Sequence, residues 1–517
     1  MINYSIKPAE EMSVEELIGQ VIMIGLPGTE LDSDYAEFIK QYSFGNYILF
    51  SRNYRDTAQM KAFMKNLYEY TEKVTGSFPL VSIDQEGGMV VRLFKDVTFP
   101  ASPLGTSATC VPDAPYKTGY IIARDMLALG INLNLAPCLE INEDLANPLV
   151  NVRGYGATKE IVLKGAGGFV RGVQDGGALS CIKHFPGAGS STKDSHLELP
   201  IIEEDRETLL SYNMYPFGEL RYSDALMTSH CLFKSFDTLP STLSPVLLTE
   251  VLREQMGYDG LIISDGMEMK AIVDHYGIGR GSVMALKAGC DILLLCHEYS
   301  EQKEATEAVK KAVDEGELPI ELLIEKVKRI NSAKEKVVKG LRESFTDEKY
   351  KVKEKDHALM QEIVDGSFTL ALGEAPRITP NTLIVAAKVR VASIAEDEFD
   401  DRSLPAALQK AFPNNKVLTF SKDEGFTEAA LNAAAEADSV IIYSYDAYRD
   451  EVQKRAINAL LKTDKTVYVV SVKGPSDRFH FEGLKNYACL YEYTPNSIKT
   501  AVKQLKGEIP LNGKLPM

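Results

Sequence analysis

The run Lys183-His184-Phe185-Pro186-Gly187-Ala188-Gly189-Ser190-Ser191-Thr192-Lys193-Asp194-Ser195-His196 holds side chains suited to proton transfer and hydroxyl binding. Lys183 and His184 follow the apolar stretch Ala178–Ile182, where a strand runs out. The proline and glycines then form a turn that hangs Asp194 and His196 on a polar loop. A histidine titrates near neutral pH, and a nearby carboxylate can orient its ring and stabilise the imidazolium. Such a pair can give a proton to a leaving group and take one from water. Alone, Asp-x-His reads as an ordinary solvated loop; an aspartate at the end of a later strand changes the balance.

The pair needs a nucleophile or a metal. No HExxH or CxxC spacing occurs and the seven cysteines are scattered, so neither metal nor cofactor is expected. A carboxylate is the natural partner. Asp265 closes the apolar run Gly260-Leu261-Ile262-Ile263-Ser264 and precedes Gly266, so it belongs on the last residue of a strand. An aspartate before glycine is also common in turns and at helix N-caps.

The elements that must position these groups form a series. Apolar strands are expected at 20–25, 46–50, 80–84, 132–136, 179–184, 225–229, 261–265 and 291–295. Helical patterning lies between them, at 57–73, 116–129, 159–174, 205–220, 244–255 and 281–288. Eight strands alternating with helices fit an α/β fold of the (β/α)8 TIM-barrel type, whose active site lies at the C-terminal strand ends. Asp84, Lys183, His184, His230 and Asp265 all fall at such ends.

The barrel is placed at 1–345, a charged and turn-rich connector at 346–380, and a second domain at 381–517. There, strands at 382–386, 416–420, 439–443, 466–471 and 488–493 alternate with helices at 404–411, 427–437 and 450–461, the pattern of an αβα sandwich. No GxGxxG or GxxxxGK follows any of these strands, so no nucleotide is assigned.

Among 517 residues the formal net charge is −16, which argues against a nucleic-acid surface or a polybasic membrane patch. The first residues lack the basic and apolar regions of a signal peptide. No stretch reaches the roughly 18 apolar residues of a membrane span. With cysteines in no framework, the expectation is a cytoplasmic protein of unknown oligomeric state.

Residues 183–200 closely resemble the signature of glycoside hydrolase family 3, and Asp194-Ser195-His196 resembles its β-N-acetylglucosaminidase branch. The runs Asp84-Gln85-Glu86-Gly87-Gly88, Asn147-Pro148 with Arg153, Met227-Thr228-Ser229-His230, and Ser264-Asp265-Gly266-Met267-Glu268-Met269 look like further family blocks in the same order. The second domain resembles the sandwich of two-domain members more loosely. The resemblance implies a small-molecule carbohydrate substrate and a retaining exo-β-N-acetylglucosaminidase. Asp265 would form a covalent glycosyl-enzyme, and the His196–Asp194 dyad would serve as acid and then base. It also implies that Asp84, Arg92, Arg153, Lys183 and His184 bind the sugar, with His230 behind them. Of the remaining histidines, His275, His297, His357 and His480, none sits in a motif, and all four are expected to be structural.

Four positions depart from the family pattern. Met89 stands where Arg is common, Ala188 where His is common, and Ser190 and Glu140 where Asp is usual. Met89 is expected to remove a charge from the wall of the sugar pocket. Two other functions are compatible with the sequence. A neutral histidine acid admits phosphate as acceptor, which gives glycoside phosphorolysis. A non-catalytic sugar-binding protein would also keep the barrel, although it has no need for Asp265, Asp194 and His196 together.

Overall fold

The computed structural model describes residues 2–143, 147, 150–187, 199–346, 348, 350–388 and 403–517. Each of the eight apolar runs forms a strand: β1 (Ile22–Gly25), β2 (Asn46–Leu49), β3 (Leu80–Ile83), β4 (Leu133–Asn134), β5 (Leu179–Phe185), β6 (Ala225–Thr228), β7 (Leu261–Gly266) and β8 (Ile292–Leu295). Every strand pairs in parallel with its neighbours in sequence, and β8 returns to β1, so the barrel closes. Closure leaves no sheet edge, and the strands are buried nearly throughout.

The shortest strand shows how side chains replace ladder bonds. β4 has two residues, and asparagines before it and at its end reach across instead: Asn132 Oδ1 accepts from Val81 N at 2.8 Å and Asn134 Oδ1 from Gln85 N at 3.1 Å. The second bond anchors the chain beyond β3, where the residues of the site begin.

The outer helices form where expected, Val246–Gln255 as a π-helix, and one expected helix is broken. Helix Lys159–Asp175 is capped by Thr158, whose hydroxyl accepts from Ile161 N, and it packs on helix Ala114–Ala128. The two approach closely at Gly172, where a Cβ would stand 2.1 Å from the Tyr116 carbonyl oxygen. The exception is 205–220, expected as one helix. It breaks into a short turn, a π-helical segment Leu209–Asn213 and a helix Tyr215–Glu219. Pro216 supplies no N–H and enters the first turn of the last piece, so a continuous helix cannot run through it.

Residues 346–380 contain the helix Glu354–Ser367 and β9 (Thr369–Leu372). β10 (Thr382–Ala386), β11 (Val417–Thr419), β12 (Ser439–Ser444), β13 (Thr466–Ser471) and β14 (Asn486–Cys489) complete a sheet of order β9-β14-β13-β12-β10-β11. All its pairings are parallel except β9 with β14. Helices Leu404–Ala411 and Pro495–Leu505 pack together, as do Phe426–Ala435 and Glu451–Leu461.

The two cores meet along a largely apolar seam. Met89, Leu104, Ala108, Val152 and Ala157 of the first domain lie in the apolar cluster of the second. Glu492 accepts from Ser102 N at 2.6 Å, and Lys514 N donates to the Ala108 carbonyl at 2.8 Å. Met89 is therefore 1 % exposed within an interdomain layer and is absent from the lining of the pocket, which corrects the expectation drawn from its position in the motif. Among the described residues no helix is long and apolar enough to cross a membrane.

Candidate active site

A cavity of about 530 Å³ opens at the C-terminal ends of the barrel strands. Its lining includes Asp84, Arg92, Arg153, Lys183, His184 and Asp265, residues separated by up to 181 positions in sequence and gathered by strand closure. The volume lies within the roughly 300–1,000 Å³ of small-molecule pockets.

Five of the side chains form a row of alternating charge. Arg92 Nη2 lies 3.8 Å from Asp84 Oδ2, and Asp84 Oδ1 accepts from Lys183 Nζ at 2.7 Å. Lys183 also lies 2.7 Å from Glu86 Oε1. Arg153 then holds both oxygens of Glu86, through Nη2 at 2.8 Å and Nε at 2.9 Å. Lys183 is 2 % exposed and Glu86 equally buried, so each charge must be matched by its neighbours. Burial works to protonate Glu86, but Arg153 and then Lys183 outweigh it and hold the carboxyl well below its usual range. Burial likewise disfavours the Lys183 ammonium, and Asp84 and Glu86 outweigh it, holding the pKa above its ordinary value. The row is a rigid set of donors and acceptors fixed before any ligand arrives.

His184 stands on the adjacent wall. Glu140 Oε1 accepts from its backbone N at 2.9 Å and lies 2.7 Å from its Nδ1. Burial pushes the Glu140 carboxyl up, and the charge and hydrogen bonds of His184 outweigh this, so its pKa is lowered. One oxygen of Glu140 thus meets both the backbone and the ring of His184.

Asp265 belongs to β7, and its Oδ1 accepts from Gly266 N at 2.8 Å. Behind it, buried His230 lies 2.9 Å from the Gly266 carbonyl through Nε2 and 2.8 Å from Thr242 Oγ1 through Nδ1. The histidine therefore supports the backbone at Asp265, and it is not among the lining residues. Asp194, His196, Ala188 and Ser190 lie outside the described residues.

Three lining residues were given no role in the site from the sequence. Glu86 sits inside a quoted block but only the closed barrel shows it joining Lys183 to Arg153. Glu268, three residues past Asp265, accepts from Cys296 N at 2.7 Å, and burial raises its carboxyl to about 7. His297, expected to be structural, lines the cavity with its Nδ1 3.0 Å from Arg52 Nη1.

The resemblance is borne out by comparison. A model described as Glycosyl hydrolase family 3 N terminal domain matches residues 13–333. A β-hexosaminidase from Alkalilimnicola ehrlichii is 33 % identical over 285 residues, covering 53 % of this chain and 80 % of the relative. One from Pasteurella multocida is 32 % identical over 287 residues, covering 54 % and 80 %. The solved structure of a family 3 β-N-acetylglucosaminidase from a Paenibacillus species is 31 % identical, covers 98 % of both chains and superposes with a TM-score of 0.90. With the family matched across its barrel and a solved relative of that family matched along nearly its whole length, this chain belongs to glycosyl hydrolase family 3 and is a glycosidase.

Proposed function

We propose that the protein is a retaining exo-β-N-acetylglucosaminidase that removes terminal β-linked N-acetylglucosamine from cell-wall muropeptides or chitooligosaccharides. The observation that carries this reading is the meeting, in one cavity, of the Asp265 carboxylate with the fixed polar row from Arg92 to Arg153. The names of the relatives at 31–33 % identity point the same way.

In this mechanism the sugar enters with its hydroxyls toward Asp84, Arg92, Lys183, His184 and Arg153. Asp265 attacks the anomeric carbon as the glycosidic bond breaks, while His196, oriented by Asp194, gives its proton to the departing oxygen. The same histidine then takes a proton from water as that water attacks the glycosyl ester. Two inversions at carbon return the β-anomer.

The test is release of nitrophenol from its β-N-acetylglucosaminide, with the Asp265→Asn protein alongside. Turnover in the wild type that disappears in Asp265→Asn, with β-N-acetylglucosamine as first product, supports the reading. Release of a sugar phosphate in phosphate buffer would reassign the reaction to phosphorolysis. No turnover of this or the corresponding β-glucoside would favour a sugar-binding role.

A further inference from the structure

Beside the row of charges lies a cluster that the proposed mechanism leaves partly unused. Cys138, Glu140 and His184 each offer one donor atom, and the three atoms lie within 4.8 Å of one another. Their meeting results from strand register. Cys138 and Glu140 are two apart on the segment that follows β4. Cys138 bridges in parallel to Lys183, which brings His184 alongside. Cys138 is 2 % exposed, and the second oxygen of Glu140, Oε2, is buried with no hydrogen-bond partner among the described residues. A buried carboxylate oxygen left unpaired is costly, and one explanation for such an atom is an ion.

We infer that Cys138, Glu140 and His184 form a binding site for a borderline-soft divalent cation of the Zn²⁺ type. The donor set is a thiol, an imidazole and a carboxylate, the three that Zn²⁺ takes, with a fourth position left for water. Charge balances locally: the Cys138 thiol loses its proton to solvent on binding, and the resulting thiolate and Glu140 together offset the ion. In the free protein the Cys138 thiol donates to Glu86 Oε2 at 3.7 Å, and once that proton leaves Glu86 keeps Lys183 and Arg153 as partners at 2.7–2.9 Å. Zinc bonds are about 2.0–2.3 Å long, so occupancy draws the three donors together and pulls the His184 ring back from the cavity it lines. The ion therefore weakens sugar binding and raises KM. That last step rests on the proposed sugar-binding role of His184; the ion site itself does not.

Co²⁺ is the probe for the site, because a cobalt–thiolate bond absorbs strongly in the near ultraviolet. The full-length protein titrated with Co²⁺ is expected to develop this band with a single equivalent, and Zn²⁺ is expected to bleach it. Cys138→Ser should abolish the band and weaken Zn²⁺ binding by at least about 100-fold, since loss of mere supporting contacts already costs 10- to 100-fold. In parallel, Zn²⁺ should raise the KM of the wild type for the nitrophenyl glycoside and leave that of Cys138→Ser unchanged. Absence of the band in the wild type overturns the site whether or not any variant folds, and equal Zn²⁺ affinity in Cys138→Ser does the same. Band formation without a change in KM would keep the ion site and remove its effect on sugar binding. The spectrum reads binding directly, so it is unaffected if the glycoside chosen is not a substrate.

Discussion

Arg153 grips Glu86 through two nitrogens, at 2.8 and 2.9 Å, and the same carboxylate lies 2.7 Å from Lys183. Glu86 is thus the hinge of the charged row, although it was not among the residues expected to bind sugar. Glu86→Ala leaves the Arg153 guanidinium without this partner and Lys183 with Asp84 alone among the acids of the row. Breaking a buried pair from one side typically costs about 3–5 kcal/mol. A loss of that size in chemical denaturation, with a raised KM in whatever fraction folds, is the expected result. A loss below ~1 kcal/mol would show that the row is solvated in solution.

The proposed acid can be probed by leaving group. His196→Ala should slow release of poor leaving groups by about 10²–10⁴-fold while sparing activated aryl glycosides, because only the former need a proton. Comparison of chitobiose with a dinitrophenyl glycoside measures this. Equal losses on both would remove His196 from that role.

A lysine at the opposite end of the barrel predicts a pH dependence. Lys334 is fully buried, donates to Gln20 Oε1 at 2.8 Å, and is pushed by burial from 10.5 to about 7. Between pH 7 and 10.5 the folded protein therefore holds fewer protons than the unfolded chain, and stability rises with pH across that window. Below pH 7 the ammonium must be carried inside the fold at full cost. Lys334→Met should raise stability by up to about 5 kcal/mol below pH 7, with the gain shrinking toward pH 10.5. Thermal unfolding of both proteins across this range is the check, and a gain independent of pH would contradict it.

A polar contact from the second domain reaches the segment that carries Arg153. Asn151, two residues before Arg153, donates from Nδ2 to Asp446 Oδ1 at 3.4 Å, and Asp446 pairs with buried Lys473 at 3.1 Å. A Cβ on Gly474 would stand 2.4 Å from Asn151 Oδ1. Gly474→Ala should displace the Arg153 segment and raise KM by about fivefold, near 1 kcal/mol, with kcat little changed. A fall in kcat alone would point to the nucleophile instead.

The barrel was legible because each strand is a short apolar run ended by a polar residue or glycine, and closure then dictates what lies at the mouth. What escaped was set by packing. β9 is half-exposed and antiparallel at the sheet edge, so its four residues carry little apolar signal. The last strand was expected at 488–493 but pairs over Asn486–Cys489; the apolar run continues to Tyr493 because Glu492 and its neighbours turn to the barrel, with Tyr491 at a φ of 65°. Asp84, Lys183 and Asp265 announce themselves by ending strands, whereas Glu86, Glu268 and His297 acquire their places from partners distant in sequence, Lys183 and Arg153, Cys296, and Arg52 in turn.

Met89 turns the boundary between the domains into a constraint on engineering. A barrel excised at 346–380 would surface with Met89, Leu104, Val152 and Ala157 bare, an adhesive scar where a free-standing barrel needs a hydrated coat. Restoring the Arg that the family commonly has at this position would wet the scar in the fragment, yet in the full chain it would drive a guanidinium into oil. The two halves are separable on a topology diagram and inseparable in water.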